Sequence, residues 1–206
     1  LTAGRGNPDR ALFPYYTQDK LEDMRGKSGG RLLVRMTGEG TGEPVIWEPY
    51  APGIRAESAV RRAVSKNELG NHIILEEEHR GHGLKVLTSW RPGGRYGFIR
   101  RQELVNLGTD AVELDVLDGF LNLLPHGLEQ RFQNEFSILG DAYKQAELDA
   151  ESGMGIYHLS SVPTDLAVPM ESLRATVAWQ TGLEPEARLL SDNQAAAFCA
   201  GASLKT

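Results

Sequence analysis

Leu84-Lys-Val-Leu-Thr-Ser-Trp90, then Arg91-Pro-Gly-Gly94, then Tyr96–Leu104, is the stretch that decides the fold. Leu84, Val86, Thr88 and Trp90 recur at every second position, which puts them on one face of an extended strand. Arg91-Pro-Gly-Gly94 cannot continue that strand and reads as a turn. Tyr96–Leu104 again has strand character, so the segment reads as strand, turn, strand.

The same rhythm extends in both directions. Upstream, Arg31–Thr37 and Pro44–Glu48 read as strands joined by a hairpin loop at Gly38-Glu-Gly-Thr-Gly42. Asn71–Glu77 is a further strand, followed by a polar turn at His79-Arg-Gly-His-Gly83. Downstream, Asn106-Leu-Gly108 turns the chain into Ala111–Leu117, where Val112, Leu114 and Val116 alternate with Glu113 and Asp115. That alternation suits a sheet with one wet face. Gly155–Ser160 and Leu173–Gln180 complete the series, with Leu173, Ala175, Val177 and Trp179 expected inward. The first thirty residues are turn-rich, and Glu184 to Cys199 has helix-compatible spacing at Leu189, Leu190, Ala195 and Phe198.

One segment departs from period two. Leu128, Phe132, Phe136, Leu139, Tyr143 and Ala146 recur at three- and four-residue intervals, which predicts one long helix over 127–149, with Gly140 loosening it. About eight strands with one intervening helix predict a mainly β, antiparallel sandwich, folded as a single domain over 1–206.

Composition narrows the function classes. The chain has 206 residues, a formal net charge of −6 and 40% hydrophobic residues, too apolar for a disordered chain. No run approaches the roughly eighteen apolar residues of a membrane-spanning helix, so no membrane partner is expected. The acidic balance argues against nucleic acid, which needs clustered Lys and Arg. The single cysteine, Cys199 in Ala-Phe-Cys-Ala-Gly, reads as an inert buried thiol. No basic segment followed by an apolar one opens the chain, which makes the cytoplasm the default location. Leu1 is not an initiator Met, and the chain is expected to be part of a longer polypeptide or a chain with disordered ends.

Chemistry is harder to place. Gly38-Glu-Gly-Thr-Gly42 lacks the Lys-Ser/Thr ending of a phosphate loop and the helix of a dinucleotide fingerprint. His79 and His82, near Glu76, Glu77 and Glu78, lack any metal-binding signature, so neither metal nor cofactor is expected. No Gly-x-Ser-x-Gly elbow is present. Asp118, Glu135, Asp141 and Glu147 are carboxylates of the kind a glycosidase pairs, although Glu135 and Glu147 lie off the helical stripe and are most simply solvated. Trp47, Trp90, Trp179 and Tyr96 could stack on sugars, although Trp90 and Trp179 continue the apolar faces of their strands. The connection Asp118–His126 is long and punctuated by polar residues. Asp118, Asn122, His126 and Arg131, with Trp90 and Tyr96, are the candidate substrate or domain-interface residues, and no catalytic residue is assigned.

Two stretches carry a family resemblance. One is Asn7-Pro-Asp-Arg-Ala-Leu-Phe-Pro-Tyr-Tyr-Thr17 with Asp19-Lys20. The other runs from Tyr96-Gly-Phe98 through Asn106-Leu-Gly108, Asp118-Gly-Phe-Leu-Asn-Leu-Leu-Pro-His-Gly127, Asp141-Ala-Tyr-Lys144 and Gly155-Ile-Tyr157 to Trp179-Gln-Thr-Gly182. Together they resemble the N-terminal region of cellobiose phosphorylase-like inverting carbohydrate phosphorylases, of the six-hairpin glycosidase-like kind. The resemblance implies a galactose-mutarotase-like β-super-sandwich that packs on a C-terminal catalytic (α/α)6-barrel and takes part in homodimer contacts. It also implies that the general acid belongs to the barrel. The chain would then be an accessory domain of a glycoside phosphorylase or hydrolase, shaping substrate access or assembly without turnover of its own. The alternatives are a stand-alone carbohydrate-binding module and a mutarotase- or epimerase-like sugar enzyme. The latter would need His126 or His158 to converge with Glu103 or Asp118.

Overall fold

The fold was obtained as a computed structural model, which describes residues 11–13, 26–37, 44–51, 59–164, 167–168, 170–188 and 191–204. The expected Gly38–Gly42 loop and most of the turn-rich N-terminal stretch lie outside these residues. The described residues are 42% strand and 14% helix, in antiparallel sheets with no barrel, so the chain is mainly β as expected. Contacts divide it into two compact units, Leu32–Val116 and Leu1–Arg31 with Leu117–Thr206.

The first unit is built on β1 (Gly29–Thr37), β2 (Pro44–Trp47), β3 (Val60–Lys66), β4 (Ile73–His79), β5 (Leu84–Pro92) and β6 (Phe98–Asn106). β3, β4, β5 and β6 form one sheet in chain order, joined by hairpins. β1 pairs with β2, Val34 opposite Trp47, in a second sheet of order β2-β1-β7, where β7 is Asp115–Leu121. Leu32, Val34, Met36 and Trp47 from this sheet meet Leu84 and Val86 from β5, with Val45, Tyr50, Leu104 and Leu114 around them. Two sheets thus share one apolar layer, as in a sandwich. β1 is apolar on both faces at Leu32-Leu33-Val34 and buried on both. Its next residue, Arg35, turns out to solvent and meets Asp115 Oδ2 through Nε at 3.0 Å and Nη2 at 2.8 Å.

Turn chemistry follows the sequence closely. Between β3 and β4, Asn67 Oδ1 accepts from His72 N at 3.1 Å and Gly70 takes φ 67°, the left-handed value that glycine adopts freely. Between β5 and β6, Gly93 N donates to Gly97 O at 2.7 Å. A Cβ on Gly93 would overlap the Tyr96 carbonyl oxygen, so this turn requires glycine. The strand expected over 71–77 and the turn at 79–83 are both present, the latter as a single 3-10 turn over Arg80–His82 closed by Gly83 at φ 59°.

The second unit contains α1 (Gln130–Glu135), α2 (Ser137–Tyr143), β8 (Lys144–Asp149), β9 (Met154–Leu159), β10 (Ala175–Ala178) and α3 (Asp192–Cys199). Its sheet has the order β10-β9-β8. Leu124, Leu128 and Leu159 form its buried centre, with Phe132 and Tyr143 against them. No helix among the described residues is long and apolar enough to cross a membrane.

The long helix expected over 127–149 is corrected: the segment is two short helices and a strand. The break falls at Phe136, whose φ −135° and ψ 39° leave the helical region. Leu128, Phe132 and Tyr143 keep their inward role, whereas Phe136 and Leu139 are each 50% exposed. Gly140 does not loosen a helix; it is buried where a Cβ would press on the Phe132 ring at 3.2 Å. Beyond Tyr143, pairing with β9 overrides local periodicity, Lys144 lying opposite Leu159 and Asp149 opposite Met154.

Three further differences have the same origin. The strand expected at 111–117 begins four residues later, at Asp115, leaving Val112 44% exposed. The strand expected over 173–180 is only Ala175–Ala178, paired on one side with β9. Its supposed inward residues are in the open, with Leu173 85% and Trp179 46% exposed. β3, almost wholly solvated, carries no alternating apolar signal and is a strand because β4 pairs with it along its length. The C-terminal helix is present but short, with a capping box in which Ser191 and Gln194 satisfy each other. Cys199 in it is half-buried.

The β8–β9 turn yields a pH prediction. Asp149 accepts from the Ser152 hydroxyl, and from Ser152 N at 3.2 Å, and these bonds hold its carboxyl below the ordinary 3.8. A folded-state pKa below the unfolded one contributes stability at higher pH that is lost as pH falls through the folded value. Ser152→Ala is therefore expected to return the Asp149 titration toward 3.8 in an NMR pH series. Protection of the hairpin amides at 152–154 should fall as pH drops and Asp149 protonates, and in the variant it should be lower already at neutral pH.

Candidate functional site

The richest polar arrangement lies on one face of the four-stranded sheet. Period two places Arg62 on β3, Glu77 on β4, Val86 on β5 and Leu104 on β6 in one cross-strand row. The next row is Val64, Leu75, Thr88 and Gln102; the next, Lys66, Ile73, Trp90 and Arg100. The first row lies under the apolar core. The later rows emerge from it, where Trp90, Gln102 and Arg100 are half-buried.

Glu77 is fully buried, and its carboxylate is answered on every side. Trp47 Nε1 donates to Oε1 at 2.9 Å, while Tyr50 N and Arg62 Nε donate to Oε2, each at 2.7 Å. Arg62 Nη2 also donates to Ala51 O at 2.9 Å. A buried charge is tolerable only with such partners. The network fixes the chain after β2: Tyr50 sits at φ 67°, a costly value for a side chain with a Cβ, and its amide is held by Glu77.

Tyr50 carries this order outward to the polar rows. Its hydroxyl donates to the carbonyl oxygens of Leu75 and Val86, at 3.0 and 3.3 Å. Burial raises its phenol above the ordinary 10; the Thr88 hydroxyl opposes that shift, the Glu77 charge adds to it, and Arg100 opposes it. Thr88 Oγ1 in turn donates to Gln102 Oε1. Tyr50, Thr88 and Gln102 thus form one polar tract, and Trp90 and Arg100 occupy the cross-strand row next to it.

Of the six candidate residues, Trp90 borders this tract. Tyr96 lies in the adjoining β5–β6 turn, 56% exposed, with the Arg95 guanidinium 5.1 Å from its ring centre. The other four are in the second unit. Asp118 is exposed on β7, and His126 is exposed in the turn before α1. Arg131 on α1 meets Glu135 at 3.0 Å as a helical i,i+4 pair. Asn122 takes φ 53° where the chain leaves β7. His158 meets Glu147 at 3.2 Å, and Glu103 meets Arg101 at 2.8 Å, rather than the partners an epimerase-like site would need.

Trp47 is core, 2% exposed, and acts through Glu77 rather than on a ligand. His79 and His82 stack with ring centres 4.1 Å apart, an arrangement in which ring lone pairs do not converge. Among the described residues no group of three or more His, Cys, Asp or Glu could hold a metal ion. Sequence reasoning missed Gln102, Arg100 and Tyr50; the first two share the strand register of Trp90, and that register was the available signal. No protein-family model matches the chain, and no curated protein matches it.

Proposed function

We propose that the chain is a carbohydrate-binding accessory domain of a larger carbohydrate-active enzyme, and that the Trp90 face of its four-stranded sheet receives the sugar. One observation carries this reading: a half-buried indole lies in register beside hydrogen-bonding side chains on rigid neighbouring strands. A pyranose presents an apolar C–H face and an edge of hydroxyls. The indole suits the first, and Gln102 and Arg100, both half-buried, suit the second. Strands hold such groups more firmly than loops do. The resemblance to phosphorylase N-terminal regions supports the rest of the proposal: a galactose-mutarotase-like super-sandwich, a helical-barrel partner that performs the chemistry, and assembly as a homodimer.

Titration calorimetry of the chain with oligosaccharides is expected to give saturable heat. Trp90→Ala should weaken binding about tenfold or more while the far-UV circular dichroism of the folded chain stays that of the parent. Binding unaffected by Trp90→Ala would remove the site, and turnover of an aryl glycoside by the chain alone would remove the accessory role.

A further inference from the structure

β3 is an open edge of the four-stranded sheet. It lies at the end of the order β3-β4-β5-β6, and among the described residues no strand pairs with its other side. From Arg61 to Lys66 every side chain on it is exposed. Antiparallel pairing alternates residues bonded to the neighbouring strand with residues whose amide and carbonyl turn away from it. At the two ends of the β3–β4 ladder, Arg80 N donates to Ala59 O at 2.8 Å and Asn67 N donates to His72 O at 3.1 Å. Both pairs continue the register of that ladder, so Arg61, Ala63 and Ser65 are the residues bonded to β4. Val60, Arg62, Val64 and Lys66 therefore turn their N–H and C=O groups outward, at every second residue along ~20 Å of edge.

We infer that this edge docks an acidic, extended peptide segment of a partner protein, which joins the sheet as a fifth strand. The outward groups present donors and acceptors at two-residue spacing, which a β-strand matches. Antiparallel pairing is the arrangement of every other pair in this sheet. The charge of the edge selects the strand. Val60-Arg-Arg-Ala-Val-Ser-Lys66 has three cations and no acid, in a chain of net charge −6. Arg62 is tied to Glu77 at 2.7 Å, whereas Arg61 and Lys66 have no ion-pair partner among the described residues. A second copy of β3 would bring its own three cations to the same edge, and that repulsion disfavours self-pairing. Carboxylates are attracted instead. Arg61 and Lys66 are five residues apart and project from opposite faces of the sheet. An antiparallel strand that answers both carries acids at its first and sixth positions. An apolar residue at its third position covers Val64, which is 70% exposed.

The test is an NMR titration of the chain with the acetylated, amidated peptide Glu-Thr-Val-Thr-Thr-Glu-Thr, and with its twin in which Lys replaces both Glu. In the free chain the amides of Val60, Arg62, Val64 and Lys66 are expected to exchange fast, and those of Arg61, Ala63 and Ser65 slowly. The acidic peptide should slow the first set. The lysine peptide should bind about tenfold more weakly, a gap that narrows between ~20 mM and ~500 mM salt. Arg61→Glu and Lys66→Glu, both at exposed positions, should each weaken the acidic peptide about two- to fivefold. Val64→Pro removes an outward N–H that β4 does not use, so it should abolish binding while Arg61, Ala63 and Ser65 stay protected. Binding that survives Val64→Pro, or equal affinity for the two peptides, would overturn the inference. So would outward amides that become protected in the free chain as its concentration rises, because a second copy would then occupy the edge. Absence of binding by the acidic peptide would overturn it as well, and the cations would then only guard the edge against aggregation.

Discussion

Replacing Glu77 by leucine is expected to cost about 3–5 kcal/mol of stability, read as a lower urea midpoint with an unchanged slope. The substitution keeps bulk at a fully buried position but removes the acceptor for Trp47 Nε1 and for the amide of Tyr50. Each abandoned buried donor costs on the order of 1–3 kcal/mol. The guanidinium side of the network is more forgiving, because the Arg62 side chain is 40% exposed and can turn to water. Glu77→Gln, which keeps an acceptor oxygen and the shape, should lose only about 1–2 kcal/mol. The face proposed to bind sugar should also suffer, since Glu77 holds the Tyr50 amide and the Tyr50 hydroxyl reaches the β4 and β5 carbonyls at Leu75 and Val86. A Glu77→Leu protein as stable as the parent would mean that the buried carboxylate does not organise this sheet.

Leu159→Ala is the second large effect, at about 2–5 kcal/mol in the unit that holds the helices. Leu159 is 2% exposed and packs with Leu124 and Leu128, the cluster against which Phe132 and Tyr143 rest. α1 and α2 have six and seven residues, too short to persist without that packing. Circular dichroism should therefore show helix lost at a lower denaturant concentration. Ile138→Ser is the control: at 87% exposed, it should change stability by less than about 0.5 kcal/mol. If the two substitutions behave alike, the Leu124–Leu159 cluster is not the support of the helices.

The hairpin at Leu84–Asn106 was legible because three independent signals agree there: period-two apolar positions, a Pro-Gly-Gly turn and a second strand of matching length. The segment 127–149 was misleading because its spacing satisfies a helix throughout. Only the pairing of Lys144–Asp149 with Met154–Leu159 shows that its last six residues are a strand. Leu173 and Trp179 misled in the other direction, since alternation suits a buried face yet does not itself bury anything. Trp90 was visible as a candidate from its residue type. Its neighbours were not, because Arg100, Gln102 and Tyr50 lie ten, twelve and forty residues away along the chain.

What the amino-acid sequence determined by itself is local: strand periodicity, the glycine turns, the antiparallel mainly β class and the short C-terminal helix. Each depends on residues within one element or one turn, where backbone sterics and side-chain alternation act directly. Tertiary structure alone decided where strands begin, that the central helix breaks at Phe136, and that Glu77 is a buried, fully bonded carboxylate while Glu76 and Glu78 are not. Those outcomes depend on strand register. A shift of one residue would exchange the two faces of β4 and send Glu77 to solvent. Register is set by partners distant in the chain, and so is the polar tract beside Trp90.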